Sequence, residues 1–399
     1  MQKTSRKLLF FIIYGTMVIF GFVENIKGVS YPLIKGEFGV SYDQQGLMVS
    51  ILSYGYVLFC MIAGFCQSRF GIKKTLLSGF ICTGIGVAGV FFMPGFWTCA
   101  AALFMAYAGF GFFEVGLNSL ATQVFTVRAA LLMNLMHFFY GVGGIGGPKT
   151  AGFLTNALNL DWRRVYLFSL PLVLLVFLPA LAARFPRAEQ GGTETYPAKK
   201  EKGPGFLDAL KTPMVWLFSI VLGFMEVVEM GSSNWGGLYF LDVYGMDPRT
   251  AGASFISVFF ILFTASRLLS GFIIEKIGYM RGLFAAVFLM IGVFILGFCL
   301  GPRGLYVLPV LGFFIAVLWP TIMAVAMGYF GTHAPIMTGA MIALGGALNS
   351  GLQLLIGLTN RVIGPAWGYR SCILYAVILA GLMILLQKKM EKPFTYTRE

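Results

Sequence analysis

Long apolar runs alternate with short polar breaks along the whole chain. Each run holds about the 20 residues that an α-helix needs to cross the hydrocarbon core of a bilayer. Twelve runs reach this length, which predicts an all-α membrane protein with twelve transmembrane helices. The runs are 8–34, 45–67, 75–94, 96–125, 133–156, 164–185, 213–241, 251–274, 281–301, 304–330, 337–361 and 368–387.

The composition favours a protein that crosses a lipid bilayer many times. Of its 399 residues, 58% are hydrophobic and 11% are charged, whereas soluble domains carry about 25% charged residues. The first run contains Glu24 and Lys27 and lacks a small-residue cleavage site, so we expect a retained helix rather than a signal peptide. The six cysteines lie in or at the ends of spans without a CxxC spacing. We therefore expect no disulfide framework, no metal site and no cofactor.

The net charge of +13 comes from an uneven distribution of basic residues and needs no nucleic-acid partner. With a cytoplasmic N-terminus, 19 of the 29 Lys and Arg residues lie in cytoplasmic segments, 7 in outer loops and 3 within spans. By the positive-inside rule, both termini are then cytoplasmic. We expect the protein in the plasma membrane, which is the inner membrane in a Gram-negative bacterium.

A hydrophilic segment between Phe185 and Pro213 separates the first six spans from the last six. It predicts three parts: an N-terminal bundle over 1–184, a cytoplasmic linker over 185–212 and a C-terminal bundle over 213–399. Two landmarks recur at one spacing: Gly71 and Gly278, and Arg163 and Arg370, are each 207 residues apart. A shared spacing indicates an internal repeat of six helices.

One run carries a carboxylate near its middle. Glu114 lies within 96–125, with Asn118 one turn later and with Tyr107 and Gly111 on the same helical face. A carboxylate in hydrocarbon costs roughly 2.5–3.5 kcal/mol on insertion scales, so such a residue normally faces a protein interior or a water-filled path. Burial disfavours the charged form, which would let Glu114 exchange protons. The alternative is a structural hydrogen-bond acceptor between helices.

Other spans also contain acids. Glu24 and Lys27 are three residues apart on one helix and can pair, although Lys27 can also extend to the interface. Glu226 and Glu229 share a later span, and Glu229 lies deeper in it. At least one of these two should face a central cavity. We take Glu114, Glu24 and Glu229 as the candidates for ion coupling.

Several polar and aromatic side chains within spans could bind a polyhydroxylated solute. Amides both donate and accept hydrogen bonds, a neutral imidazole can bind a hydroxyl, and an indole can stack on a sugar ring. Helix packing is the alternative role for each of them. The candidates are Asn118, His137, Tyr140, Trp235, Trp319, Asn349 and Gln353.

Six helices repeated after a linker resemble the plan of the major facilitator superfamily. The loop after the second span resembles a superfamily signature that is thought to latch the two halves on the cytoplasmic side. The usual acid of the signature is Ser68 here, whereas the second copy keeps Glu275. The resemblance implies a latch made by Arg69, Gly71, Lys73, Lys74, Arg267 and Glu275.

Within that superfamily, three stretches resemble the fucose–proton symporter family. They are Gly109–Asn118, the run from Met133 to Pro148, and Trp319–Ile322. This resemblance implies that a neutral hexose is carried with a proton. The family's proton-carrying acid, four residues before a proline, is Gly28 here.

We therefore expect a secondary active transporter, monomeric in the bilayer, that imports a small neutral solute such as a monosaccharide together with a proton. Na⁺ is the alternative ion, because carboxylates and amides also ligate it. The sequence shows no Walker loop and no Ser/His/Asp order on a soluble domain, so we do not expect an enzyme. Two other functions stay open: a proton-antiport exporter of hydrophobic compounds and a membrane sensor that does not transport.

Overall fold

The computed structural model describes residues 6–127, 129–186 and 206–391. Within these ranges the regular structure is helical. The first half comprises α1 (Arg6–Asn25), α2 (Lys27–Phe38), α3 (Tyr42–Phe70), α4 (Ile72–Phe92), α5 (Phe96–Val124), α6 (Ala129–Asn156) and α7 (Trp162–Ala182). The second half comprises α8 (Phe206–Leu210), α9 (Pro213–Tyr244), α10 (Ala253–Ile277), α11 (Tyr279–Cys299), α12 (Gly304–Val307), α13 (Leu311–Phe330), α14 (Ala334–Val362) and α15 (Trp367–Met390).

These helices confirm the predicted twelve-helix membrane fold. Within the described ranges, eleven segments are long and apolar enough to cross a membrane, and α1 with α2 counts as one of them, Arg6–Phe38. The twelfth is α6, which has 28 residues and is made less apolar by glycines and by residues such as Asn134, His137 and Lys149. The single irregular position at Ile26 divides the first span just before Lys27.

The helix boundaries repeat at the spacing that the sequence indicated. The fourth helix, Ile72–Phe92, and its counterpart Tyr279–Cys299 begin and end 207 residues apart. The glycines that precede these helices share one backbone conformation, with φ of +83° at Gly71 and +88° at Gly278. Glycine is required there because L side chains rarely adopt positive φ. The landmark glycines are therefore structurally equivalent.

The buried apolar side chains form two clusters. One contains residues between Leu9 and Ala183 together with Ala253. The other contains residues between Ala209 and Leu386. The boundaries of the three predicted parts stay a prediction, since 187–205 of the linker lie outside the described residues.

The end of the bundle where α1 begins and α7 ends is called the linker side below, and the opposite end the far side. The two halves touch through α3 with α14 and through α6 with α10 in the far-side parts of these helices. A methyl group added at Gly46 would lie 3.0 Å from the Cα atom of Gly357. One added at Gly152 would collide with the carbonyl oxygen of Arg249. Backbones thus approach closely across the halves.

The same helices separate toward the linker side. A methyl group added at Gly64 of α3, Gly271 of α10 or Gly339 of α14 would meet no described atom within 4 Å. Phe272 on α10 is exposed as well. The two halves are therefore closed against each other on the far side and open on the linker side.

Candidate functional site

Partly exposed polar side chains from both halves face the space where the halves separate. Glu114 of α5 keeps part of its surface accessible, although it lies ten residues from the end of a 29-residue helix. Asn118 donates one hydrogen bond to the Glu114 carboxylate (2.9 Å) and one to the Glu114 carbonyl oxygen (2.7 Å). The phenol of Tyr56 on α3 lies beside the same carboxylate. Glu114 therefore faces the protein's centre, with a partner on α5 and another on α3.

Glu24 is fully engaged within the first half. Its Oε1 atom lies 3.1 Å from Nζ of Lys27, and its Oε2 atom accepts a 2.6 Å hydrogen bond from Tyr140 of α6. The break at Ile26 separates the two charged residues onto consecutive helices, yet they still pair as the three-residue spacing predicts. The Lys27 ammonium also contacts Sδ of Met230, on the other half, at 3.8 Å.

Glu226 and Glu229 both lie on α9 with part of their surface accessible. Neither carboxylate has a hydrogen-bonding or ion-pair partner among the described side chains, and the negative charge of Glu229 acts on Glu226. Glu24, Lys27 and Arg267 act on Glu229. Two acids one turn apart without cationic partners are costly in a membrane helix.

Arg267 lies in this cluster and not at the linker-side loop. Its guanidinium sits over the ring of Phe263 at 4.6 Å. Its Nε atom is buried and has no hydrogen-bond partner among the described residues. The charges of Glu229 and Glu114 both act on it, although neither carboxylate lies within ion-pair distance. The sequence placed Arg267 in the latch and missed this position, since only the crossing of α10 against α6 brings it to the centre.

His137 and Trp319 face each other across the halves. Their ring centroids are 6.4 Å apart and both side chains are partly exposed. Tyr140, one turn further along α6, packs edge-on against Phe260 of the other half at 6.2 Å. Asn118, His137, Tyr140 and Trp319 thus lie around the same space, with their surfaces only partly covered.

Trp235, Asn349 and Gln353 form a separate, closed network between α9 and α14. The side-chain Oε1 atom of Gln353 accepts hydrogen bonds from Nε1 of Trp235 (2.9 Å) and from Nδ2 of Asn234 (3.2 Å). Its side-chain Nε2 atom donates to Oδ1 of Asn349 (3.3 Å). Trp235 is 1% exposed and Gln353 is 0% exposed. In this conformation the network joins two helices, and direct contact of these three residues with a solute stays a prediction.

The residues proposed for the latch are placed separately. Lys73 donates two 2.7 Å hydrogen bonds, to the carbonyl oxygens of Leu181 and Ala183 at the end of α7. Arg69 and Lys74 lie near the ring of Phe70. Glu275 is exposed and has no ion-pair partner among the described residues. A latch between the halves therefore stays a prediction.

The sequence reasoning also missed Tyr56, which lies within electrostatic reach of Glu24, Glu114 and Glu226. The position of Tyr56 in the sequence does not indicate that it faces these acids, because polar and apolar residues on α3 are not segregated to opposite faces. No group of three or more His, Cys, Asp or Glu side chains suited to a metal ion occurs in the described part of the chain.

A family model described as Major Facilitator Superfamily matches residues 13–350. The L-fucose-proton symporter of Escherichia coli (strain K12) is 22% identical over 371 residues, which cover 83% of this chain and 82% of that protein. The cis,cis-muconate transport protein of Acinetobacter baylyi is 24% identical over 379 residues, which cover 90% of this chain and 86% of that protein.

Among solved structures, a D-xylose-proton symporter superposes with a TM-score of 0.77 at 12% identity, covering 94% of this chain and 96% of that one. These matches confirm the resemblances predicted from the sequence motifs, and they agree with the helix order and the internal repeat. The chain belongs to the major facilitator superfamily, a family of multi-pass membrane transporters for small molecules.

Proposed function

We propose that this protein carries a small neutral solute, such as a monosaccharide, together with a proton by alternating access. The observation that supports this most is the charge content of the central cluster. The central cluster contains four carboxylates and two cations: Glu114, Glu226, Glu229 and Arg267 are partly exposed, whereas Glu24 and Lys27 are buried and paired with each other. The cluster therefore holds more acids than bases.

The excess of acids favours a coupling ion that is positively charged. Lys27 is already matched by Glu24. Arg267 alone remains to balance Glu114, Glu226 and Glu229. An uncompensated charge taken out of water costs several kcal/mol, so protons or another cation should occupy some of these acids. A proton needs no coordination shell, and the carboxylates here are dispersed over two helices from different halves, which favours H⁺ over Na⁺.

The arrangement of the halves supports transport by alternating access. One side is closed by contacts between α3 and α14 and between α6 and α10, and the other is open. With the linker side cytoplasmic, as the basic residues predict, this state faces inward. The predicted latch of Arg69, Gly71, Lys73, Lys74 and Glu275 would then act at the cytoplasmic end.

The polar residues around the space support an uncharged, hydroxylated solute. Asn118, His137 and Tyr140 offer neutral donors and acceptors, and Trp319 offers an aromatic face. A surplus of carboxylates repels anions. The relative named as an L-fucose-proton symporter agrees with this choice. The relative named as a cis,cis-muconate transport protein, together with Arg267, favours a carboxylic acid as the second candidate.

Purified protein in liposomes tests both candidates. Under an inward proton gradient, we expect uphill accumulation of a labelled hexose that cis,cis-muconate does not inhibit. Accumulation of muconate without hexose would replace the first candidate with the second. Efflux of a hydrophobic dye would favour an exporter, and solute binding without counterflow would favour a sensor.

Glu114→Gln separates coupling from binding. The variant keeps a hydrogen-bonding group of the same size but cannot carry a proton. We expect it to lose uphill accumulation and to retain exchange of labelled for unlabelled solute. Glu391→Gln, which removes an exposed acid at the end of α15, is the matched control and should accumulate solute normally. Unchanged accumulation in Glu114→Gln would remove Glu114 as the coupling residue.

A further inference from the structure

Arg267 is a cation that has no ion pair among the described residues, and it lies at the point where the halves separate. On α10, Phe260 lies against Gly144 and Thr264 lies against Gly141 of the opposite half. Arg267 follows one turn later, toward the open side. Arginine cannot shed its proton in a protein, so its charge must be balanced by an anion or by water. Its buried, unpartnered Nε atom shows that this balance is incomplete here.

Glu114 lies at the same depth on the other half. Arg267 is ten residues from the linker-side end of α10, and Glu114 is ten residues from the linker-side end of α5. At 1.5 Å per residue, each is about 15 Å from that end. The charge of each residue acts on the other. Asn118 binds one carboxylate oxygen of Glu114, and the phenol of Tyr56 lies beside the carboxylate, so both of these contacts come from the first half.

The far side shows what a closed end looks like in this chain. There, ion pairs already join the halves. Asp242 of α9 lies 3.6 Å from Nζ of Lys35 on α2, and Asp43 of α3 lies 2.6 Å from Arg361 on α14. On the linker side, Arg267 and Glu114 carry opposite charges at matching depth on the two halves, but they do not lie within ion-pair distance of each other.

Helix register indicates which surfaces meet when the linker side closes. Along the antiparallel pair α3 and α14, Gly46 lies against Gly357 and Val57 against Gly346. At the same spacing along the two helices, Gly64 and Gly339 would be the next glycines to face each other. A methyl group added at either of them meets no described atom within 4 Å. Closure along these surfaces moves α10 toward the first half and shortens the distance between Arg267 and Glu114.

We propose that Arg267 and Glu114 form an ion pair across the halves when the linker side closes, and that a proton on Glu114 breaks it. The inference rests on the proposed proton coupling. An empty carrier that has released its proton would close through the pair and return to the other side. A carrier with protonated Glu114 would open again.

Other charged and titratable groups surround the pair. Tyr56 and Cys60 of α3 and Glu24 of α1 face Glu114. Glu229 of α9 and Tyr140 and His137 of α6 face Arg267. Glu229 competes for Arg267 from within its own half. A proton on Glu229 would therefore strengthen the proposed pair, whereas a proton on Glu114 removes it.

The native thiol of Cys60 reports the opening of the linker side. Cys60 is partly exposed and borders Gly111, one turn from Glu114 on the facing surface. The test uses a single-thiol protein in which the cysteines at 66, 82, 99, 299 and 372 are replaced by alanine. The rate of maleimide labelling is measured without solute, and the ratio of variant to parent rates at each pH cancels the titration of the thiol itself.

We expect Arg267→Gln and Glu114→Gln each to label at least about fivefold faster than the parent near pH 7.5, the lower end of typical coupling between sites. The ratio should fall toward one in acid, where parent Glu114 is protonated. Arg267→Lys and the exchanged pair Glu114→Arg with Arg267→Glu should label at the parent rate, which also shows that they fold. Arg281→Gln, an exposed linker-side change, is the control.

Equal labelling of Arg267→Gln and the parent at every pH would overturn the pair. So would failure of the exchanged pair to restore the parent rate while both single variants fold. The transport assay tests the proposed function separately from the labelling assay, which tests the ion pair. The labelling pattern without accumulation of solute would support the ion pair and contradict the proposed function. Accumulation of solute without the labelling pattern would support the proposed function and contradict the ion pair.

Discussion

The two halves contact each other closely at the far side of the helix bundle and separate at the linker side. On the far side, glycines let backbones of the two halves touch, and Tyr42 and Lys35 both bind Asp242 across the gap at 2.8 and 3.6 Å. On the linker side, methyl groups added at the corresponding glycines would meet no described atom within 4 Å, and Arg267 has no ion pair among the described residues. The contacts between the halves are thus formed on the far side, whereas the matching surfaces on the linker side are apart.

The difference between the two ends indicates how a structure made of two similar halves can alternate between opening on one side and opening on the other. Because the halves share one helix order, contacts at one end are matched by potential contacts at the other. Solvent-exposed ion pairs contribute only about 0–1 kcal/mol each, so the closed end can be opened at a modest cost. The central acids and Arg267 then decide, through their protonation and pairing, which end is favoured.

The largest effect should come from filling the glycine contact on one end of α3. Gly46→Val places a side chain against the backbone of Gly357, and overpacking of this kind costs about 1–3 kcal/mol. We expect the far side to open and Cys60 labelling from the linker side to slow. Gly64→Val, on the same helix, should act in the opposite direction by blocking closure of the linker side.

The labelling assay described for Arg267 measures both variants. If both shift labelling in the same direction, the two glycines do not mark opposite ends of one alternating contact. Gly36→Val, at a position where an added methyl group meets nothing within 4 Å, serves as a neutral reference.

A smaller effect is expected at Asp242. Asp242→Asn weakens its contacts with Lys35 and Tyr42, and an ion pair near the surface contributes about 0–1 kcal/mol. The far side should open more often, which appears as faster labelling of a thiol introduced at Ser41. Glu37→Gln is the control, because Glu37 pairs with Arg163 at 2.7 Å within the first half and not across the halves. Equal labelling in both variants would show that Asp242 does not hold the far side closed.

The smallest effect concerns the closed network of α9 and α14. Trp235→Phe removes one donor to Gln353 while Asn234 still donates to it, so we expect a loss of about 1 kcal/mol in unfolding free energy. A lower thermal midpoint with transport within about twofold of the parent fits a packing role, since such single hydrogen bonds contribute little. Loss of transport without loss of stability would instead restore Trp235 as a solute contact.

Much of the architecture could be read from the chain itself. Apolar runs of membrane-spanning length predicted twelve helices, because a helix in hydrocarbon must satisfy its own backbone. The spacing of Gly71 and Gly278 predicted the repeat, since positive φ at a short turn selects glycine. The pairing of Glu24 with Lys27 followed from their spacing on one helical face.

The placement of side chains between helices could not be read in the same way. Trp235 and Gln353 looked like solute contacts but satisfy each other, because α9 crosses α14 at that level. Arg267, within the predicted span 251–274, was assigned to the cytoplasmic latch by resemblance, and the structure places it among the central acids. Hydrophobic pattern and local spacing determine which segments become helices. Only the packing of one helix against another decides which face of each helix meets water, because that depends on crossings between residues distant in the chain.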